Sequence, residues 1–200
     1  MKTGNGKTGR PIGFDKAAAL EAAMLLFWER GFEGASIAEL TQAMGLSPSS
    51  IYAAFGDKQA LFSLAVRRYL TTRAQYATEA LQEQTLERVI RALFDNTVAF
   101  LTTPGHPPSC MTLAGAMGSG VDAAPARDLL TEVRKQNERA IRARLLAARK
   151  SGELSKDINV YDYTRYLSSI LAGLSVQAAN GSTKAELRRT AEMALRHLGY

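Results

Sequence analysis

The sequence has few of the residues that commonly build metal centres, covalent cross-links or catalytic sites. Its 200 residues include a single cysteine, Cys110, and two histidines, His106 and His197. One cysteine cannot form an internal disulfide, which fits a reducing compartment. Neither histidine lies at metal-ligand spacing with Cys, Asp or Glu. We therefore expect no metal site, no cofactor and no catalytic residues.

Long apolar runs and alternating strand patterns are also missing. No stretch approaches the roughly 18 apolar residues of a membrane span. The start, MKTGNGKTGRPIGFD, has no apolar segment typical of a signal peptide. Only six prolines interrupt a chain rich in Ala, Leu, Arg and Glu, which favour helix. We therefore expect an all-α, cytoplasmic protein without a membrane partner.

The chain does have an excess of positive charge, with a formal net charge of +6 at pH 7. Such a balance permits a polyanionic partner such as nucleic acid, but it does not prove one. Many of the basic residues fall between Arg134 and Lys150. Since charge runs on helices usually face water, we interpret this run as a solvated helix face.

The stretch from Ser36 to Lys58, SIAELTQAMGLSPSSIYAAFGDK, predicts two short helices joined by a tight turn. Ser36 precedes an apolar series and is followed three residues later by Glu39, as a capping box requires. Gly45 can end the first helix with positive φ at least cost. Ser47 then caps the second helix, with proline at its first position. A helix, a glycine turn and a short second helix with exposed hydroxyls form the helix-turn-helix pattern.

This part of the chain resembles the DNA-binding domain of the TetR family of transcriptional regulators. The resemblance runs from about Gly9 to Tyr69 and is carried by GRPIGFD, FWERGFEGAS, IAELTQAMGLSPSSIYAAFGDK and ALFSLAV. It implies an all-α fold of about nine helices, in which residues 1–56 form an N-terminal arm and a three-helix DNA-binding domain. Residues 57–200 would then form a larger helical domain for ligand binding and dimerisation.

The resemblance and the side-chain chemistry together select candidate DNA contacts. In this family an arginine at the place of Arg10 often lies along the minor groove. Hydroxyls can donate to phosphates, Tyr52 has the reach for a phosphate or a thymine methyl, and Lys58 adds charge near a helix N-terminus. The candidates are Arg10, Ser36, Ser47, Ser49, Ser50, Tyr52 and Lys58. Many relatives carry larger polar groups at Pro48, Ala53 and Ala54, so we expect selectivity to depend on DNA shape.

The remaining chain predicts further amphipathic helices. One long helix should run from Asp57 to about Leu81 and connect the two parts of the protein. Others should span Gln84 to Leu101, Pro125 to about Lys150, and Val160 to Ala179, followed by a final helix. The segment TTPGHPP interrupts the chain between the predicted helix that ends at Leu101 and the one that begins at Pro125. A short apolar helix should follow this segment.

Two further sets of residues follow from the resemblance. The ligand cavity is expected to be mostly apolar, and its candidate lining residues are Phe100, Met111, Met117, Tyr163, Tyr166 and Ile170. The last two helices should form a four-helix dimer interface through Leu167, Leu171, Leu174, Leu187, Ala191 and Leu195. The alternative for both sets is ordinary packing within one chain, since apolar stripes are mostly core.

The predicted function is a DNA-binding transcriptional regulator, with repression as the expected role. It would bind a pseudo-palindromic DNA operator as a homodimer and be released by a small-molecule effector in the C-terminal domain. The alternative is a helical small-molecule-binding protein or enzyme in which the helix-turn-helix is only structural. The lack of an acid–base pair counts against an enzyme. We interpret Cys110 as a buried packing residue, with redox sensing left open.

Overall fold

The computed structural model describes residues 13–114 and 123–198, and ten helices lie in these two ranges. They are α1 (Lys16–Gly34), α2 (Ile37–Met44), α3 (Pro48–Phe55), α4 (Lys58–Thr72), α5 (Gln75–Ala80), α6 (Leu86–Leu101), α7 (Met111–Ala114), α8 (Ala124–Ser151), α9 (Val160–Ala179) and α10 (Lys184–His197). The described ranges contain no strand, so the expected all-α fold is confirmed, with one helix more than expected. None of these helices combines the length and the apolar character needed to cross a membrane.

The helix-turn-helix is set by its own sequence. The Ser36 N–H donates to Glu39 Oε2 at 2.9 Å, and the Glu39 N–H donates to Ser36 Oγ at 3.2 Å, which completes the predicted capping box. Gly45 ends α2 in the left-handed region with a φ of 65°. Ser47 Oγ then accepts from the Ser50 N–H at 3.2 Å and so caps α3. These local bonds fix the turn between the two helices.

The N-terminal core is built from aromatic rings on α1 and α4. Phe27 and Phe62 meet edge to face with ring centroids 5.1 Å apart, and Trp28 and Tyr69 do so at 4.9 Å. All four rings are fully or almost fully buried. The same core extends into α7 and α8 through buried aliphatic residues, among them Leu130. Since α4 packs with α1, the expected division between residues 56 and 57 remains a prediction.

The long connecting helix predicted from Asp57 to Leu81 is interrupted in the structure. Helix α4 ends at Thr72, and α5 begins only at Gln75. The interruption coincides with two tertiary contacts. Arg73 Nη2 donates to Glu21 Oε1 at 2.6 Å, and the Tyr76 ring stacks on Phe100 at 4.6 Å. The prediction of one helix was wrong because these contacts are invisible to helix periodicity.

The C-terminal bundle has a second, mainly aliphatic core, in which α9 and α10 pack against α6. This core contains most of the residues that we predicted for the dimer interface. Leu167, Leu174, Leu187, Ala191 and Leu195 are buried inside the chain, and Leu171 is half-buried. The expected interface therefore needs correction. The broad apolar stripe faces the chain itself, so these five side chains are not on the surface that a second subunit could contact.

Candidate functional site

The outer face of α3 brings together four of the predicted DNA-contacting residues. Ser47, Ser49 and Tyr52 are exposed and Ser50 is half-buried. Ser47 Oγ lies 2.9 Å from both Ser49 Oγ and Ser50 Oγ. Tyr52 is 48% exposed, although it is a large aromatic residue. The result is a cluster of three hydroxyls at the start of α3 with a phenol one turn further along.

The inner face of α3 holds this surface in place. Ile51 and Phe55 are buried against the N-terminal core. At the other end of the helix, Lys16 Nζ donates to the Ala54 carbonyl oxygen at 2.7 Å and lies 5.0 Å from the centroid of the Phe55 ring. A cation at a helix C-terminus is stabilised by the helix dipole. Sequence reasoning missed the role of Lys16, because the contact crosses from α1 to α3.

The other predicted DNA contacts are placed differently. Ser36 is exposed, but its hydroxyl already takes part in the α2 capping box. Lys58 is half-buried, with Nζ 4.7 Å from the centroid of the Phe32 ring. Burial lowers the pKa of Lys58. Arg10 lies outside the described residues.

A cavity of about 360 Å³ lies in the C-terminal bundle, among α5, α6, α8, α9 and the segment around α7. Its wall combines aliphatic side chains with several hydroxyls and a few charged groups. The lining residues are Tyr76, Ala77, Thr78, Leu81, Leu93, Thr97, Leu101, Cys110, Thr112, Leu113, Arg134, Asn137, Glu138, Ala140, Ile141, Arg165, Ser168, Ser169, Leu171, Ala172 and Ser175. This volume is at the lower end of the range of small-molecule sites, about 300–1,000 Å³.

The five described residues of the predicted lining set do not line the cavity. Phe100 stacks between other rings, Met111 is fully buried in the N-terminal core, and Tyr166 is 46% exposed. Tyr163 and Ile170 pack against the C-terminal core. Met117, the sixth residue of the set, lies outside the described residues. The expected lining is thus corrected, because apolar periodicity finds faces that pack and does not separate core from cavity.

Residues 109–112, which we call the bridging segment, connect the N-terminal core to the cavity. On the N-terminal side, Trp28 Nε1 donates to the Ser109 carbonyl oxygen at 3.0 Å and to Ser109 Oγ at 3.1 Å. The Tyr69 hydroxyl donates to Cys110 Sγ at 3.6 Å. Helices α1 and α4 therefore each make a polar contact with this segment.

On the cavity side, the bridging segment is bonded to α8 and α9. The Cys110 N–H donates to Ser175 Oγ at 2.7 Å, and Arg134 Nη1 donates to the Thr112 carbonyl oxygen at 2.5 Å. All four of these residues line the cavity. Cys110 is half-buried and faces the cavity, so it is not the buried packing residue that we expected.

An exposed second helix of a helix-turn-helix, attached to a larger helical bundle with a cavity, defines a helix-turn-helix transcriptional regulator. The chain belongs to the TetR family of such regulators. Residues 19–65 match the model described as bacterial regulatory proteins, tetR family. Residues 85–194 match the model described as tetracyclin repressor-like, C-terminal domain.

Individual relatives support the same assignment over nearly the whole chain. The HTH-type transcriptional repressor ComR of Escherichia coli is 28% identical, with 94% of this chain and 90% of the relative covered. The repressor BdcR of the same organism is 29% identical over 93% of this chain and 90% of its own length. The TetR family regulator CifR, solved with 26-bp operator DNA, is 35% identical with a TM-score of 0.90, covering 94% of this chain and 98% of its own. These relatives are transcriptional regulators.

Proposed function

We propose that the protein is a repressor that binds a pseudo-palindromic operator as a homodimer and releases it when a small molecule occupies the cavity. The carrying observation is the geometry of α3. Its buried face fixes the helix, while Ser47, Ser49 and Tyr52 point away from the chain. The operator complex of the similar regulator CifR supports DNA as the partner.

In this proposal residues 1–56 bind DNA, and residues 57–200 bind the effector and the second subunit. Helix α3 enters a major groove, and Arg10 lies along the neighbouring minor groove. Two subunits related by a two-fold axis place their half-sites about one helical turn apart, roughly 34–36 Å. Since α3 carries no arginine or lysine, hydroxyl and aromatic contacts supply the base readout, and DNA shape adds to it.

The dimer surface is assigned to the outward faces of α9 and α10. Tyr166, Val176 and Met193 are 46%, 49% and 55% exposed, respectively, and all are large apolar or aromatic residues. Gly173 lies between the first two on α9, and a Cβ built there would have open space around it. Exposed apolar side chains beside a glycine allow another helix to approach closely, as a two-fold helical interface requires.

Effector binding is coupled to DNA binding through the bridging segment. Its cavity side is bonded to Arg134 and Ser175, and its other side is bonded to Trp28 and Tyr69. A ligand that shifts this segment therefore changes what α1 and α4 pack against. The ligand must bind the two arrangements with different affinity, and a coupling of roughly 1–3 kcal/mol is typical.

The test begins with selection of operator sites from random DNA by the purified protein, followed by the variant Tyr52→Ala. We expect an enriched pseudo-palindrome, bound about tenfold more weakly by the variant because an aromatic base contact is lost. Unfolding free energy should change by less than about 0.5 kcal/mol, since Tyr52 is exposed. The control Leu146→Ala removes an apolar side chain that is 38% exposed on α8, outside the proposed DNA and dimer surfaces, and should leave DNA affinity unchanged.

Two outcomes would contradict the proposal. A selection that enriches no pseudo-palindrome would favour the alternative, a helical small-molecule-binding protein whose helix-turn-helix is only structural. Equal losses of affinity for Tyr52→Ala and Leu146→Ala would show that α3 does not provide the contact.

A further inference from the structure

The charges around the cavity indicate the chemical class of the effector, an inference that rests on the proposed function. Arg134 is half-buried and lines the cavity from α8. Its Nη1 donates to the Thr112 carbonyl oxygen at 2.5 Å, and its Nη2 donates to Thr131 Oγ1 at 2.8 Å. Both acceptors are neutral. Among the described residues, no carboxylate lies within 4.0 Å of the guanidinium.

This arrangement leaves a fixed positive charge beside the cavity without a counter-charge from any described residue. A charge that is partly removed from water is costly unless an opposite charge compensates it. The two hydrogen bonds hold the guanidinium plane in one orientation but use only two of its five N–H groups. The remaining N–H groups can form the paired bonds that an arginine makes with a carboxylate.

The rest of the lining favours a hydrocarbon tail over an aromatic or cationic ligand. Aliphatic residues are the largest group in the wall, and Tyr76 is the one aromatic residue among the described lining residues. Two other charged residues, Glu138 and Arg165, are exposed at the rim. A lipophilic cation would therefore be attracted by one exposed carboxylate and repelled by two arginines. An anion would be attracted by both arginines.

A second polar group in the wall lacks a partner. Ser168 Oγ is shielded from solvent and makes no hydrogen bond to any described residue. A buried hydroxyl in this state loses hydration without compensation. An oxygen atom of a ligand in the cavity can supply the missing bond, which a pure hydrocarbon cannot do.

We propose that the effector is a small amphipathic carboxylate, with its carboxylate bound by Arg134 and its aliphatic part against the leucine and isoleucine side chains of the cavity. The cavity volume of about 360 Å³ limits it to a single chain of moderate length or a compact ring system. The ligand neutralises Arg134, and Arg134 is bonded directly to the bridging segment at Thr112. The charge that selects the effector is therefore also attached to the segment that carries the signal.

The first experiment compares three probes of equal chain length on the wild-type protein: decanoate, decanol and decyltrimethylammonium. Each is titrated below its micellar concentration, and the melting temperature is measured, because binding to the folded state raises it. We expect decanoate to give the largest shift and to release the operator. A shift from decanol or from the cation that equals or exceeds that of decanoate would overturn the proposal.

The second experiment removes the charge. Arg134→Met should weaken decanoate binding by about 10- to 100-fold, the loss of a charge-assisted bond, and should leave decanol binding unchanged. Arg134→Lys should recover part of the loss. The control is Arg139→Met, on the same helix, where the exposed arginine pairs with Glu132 at 2.9 Å. Unchanged decanoate affinity in Arg134→Met, or an equal loss in Arg139→Met, would contradict the assignment.

The two proposals fail separately. The probe series needs only the folded wild-type protein, so it decides the effector class even if Arg134→Met does not fold. The thermal shift does not use DNA. A protein that binds decanoate but selects no operator would refute the repressor function, whereas one that selects an operator and ignores the carboxylate would refute the effector class.

Discussion

The two halves of the molecule are both helical but are packed differently. In the N-terminal half, aromatic rings fill the space between α1 and α4, and Phe27, Trp28 and Phe62 are completely buried. In the C-terminal half the core is mainly aliphatic, and a cavity with a hydroxyl-bearing wall lies beside it. Dense packing resists displacement, whereas a region with fewer buried contacts opens at lower cost. We therefore expect the half that presents α3 to be the stiffer one and the half that holds the cavity to deform at lower cost.

The largest expected effect is on folding, and it comes from comparing a substitution on the buried face of α9 with one on its exposed face. Leu174 is 1% exposed and Val176 is 49% exposed, although they are two residues apart. Leu174→Asp should prevent folding, because an unpaired buried carboxylate costs several kcal/mol and total stability is only about 5–15 kcal/mol. Val176→Asp should remain folded but become monomeric. Circular dichroism measures the first result, and light scattering measures the second.

This pair also checks the corrected dimer surface. A folded, monomeric Leu174→Asp would restore the interface predicted from sequence. A Val176→Asp protein that stays dimeric would remove the outward face of α9 from the interface. Ala147→Asp, at an exposed position on α8, is the control for charge on a surface outside the proposed interface.

The next largest effect is on the free energy of unfolding, and it compares aromatic packing in the N-terminal half with aliphatic packing beside the cavity. Phe62→Ala removes a ring that contacts Phe27 at 5.1 Å and Phe32 at 5.2 Å, and it should lower the free energy of unfolding by about 3–5 kcal/mol. Leu171→Ala removes a half-buried side chain beside existing space, so we expect a cost of only about 1–2 kcal/mol. Urea denaturation measures both. Equal costs would show that the C-terminal half is packed as tightly as the N-terminal half.

What the sequence predicted well depends on contacts between near neighbours. The turn between α2 and α3 follows from Ser36, Gly45 and Ser47, whose bonds span a few residues, so its prediction is confirmed. The bounds of α9 are also as predicted, since Asn159 caps its start and Asn180 follows its end. Local chemistry and a regular apolar stripe are sufficient information for such elements.

What the sequence could not supply depends on which distant residues meet. The stripe on α9 showed that one face is buried, but it could not show that α6 of the same chain covers it. The cavity is the space left where several helices do not pack closely together, so no pattern within one helix marks its lining. The contact of Lys16 with α3, and the break between α4 and α5 beside Glu21 and Phe100, have the same origin.

A smaller effect is expected from Trp28→Phe, which keeps an aromatic ring and removes one N–H donor. The Ser109 carbonyl oxygen and hydroxyl would lose that donor in a buried environment, at a cost of about 1–3 kcal/mol. Because this bond joins α1 to the bridging segment, the effector concentration needed for operator release should also change. A gel shift at increasing effector concentration measures this. If stability falls but release is unaffected, Trp28 is structural and the coupling runs through α4 alone.

The smallest effect concerns the ion pairs that join α1 to the end of α4. Glu21 accepts from Arg68 Nε and, at 2.6 Å, from Arg73 Nη2. Burial alone would raise the pKa of Glu21, but the hydrogen bonds from Arg73 and Arg68 hold it below its ordinary value of 4.5. A carboxyl group whose pKa is lowered by folding stabilises the protein above its unfolded pKa, and the contribution is lost as pH falls through the folded pKa. Glu21→Gln should therefore cost about 1–2 kcal/mol at neutral pH and progressively less below pH 4.5, as measured by urea denaturation across that range. Glu29→Gln, at an exposed position on the same helix, is the control for loss of a surface carboxylate. A pH-independent cost for Glu21→Gln would mean that packing of the side chain, and not its charge, holds the two helices together.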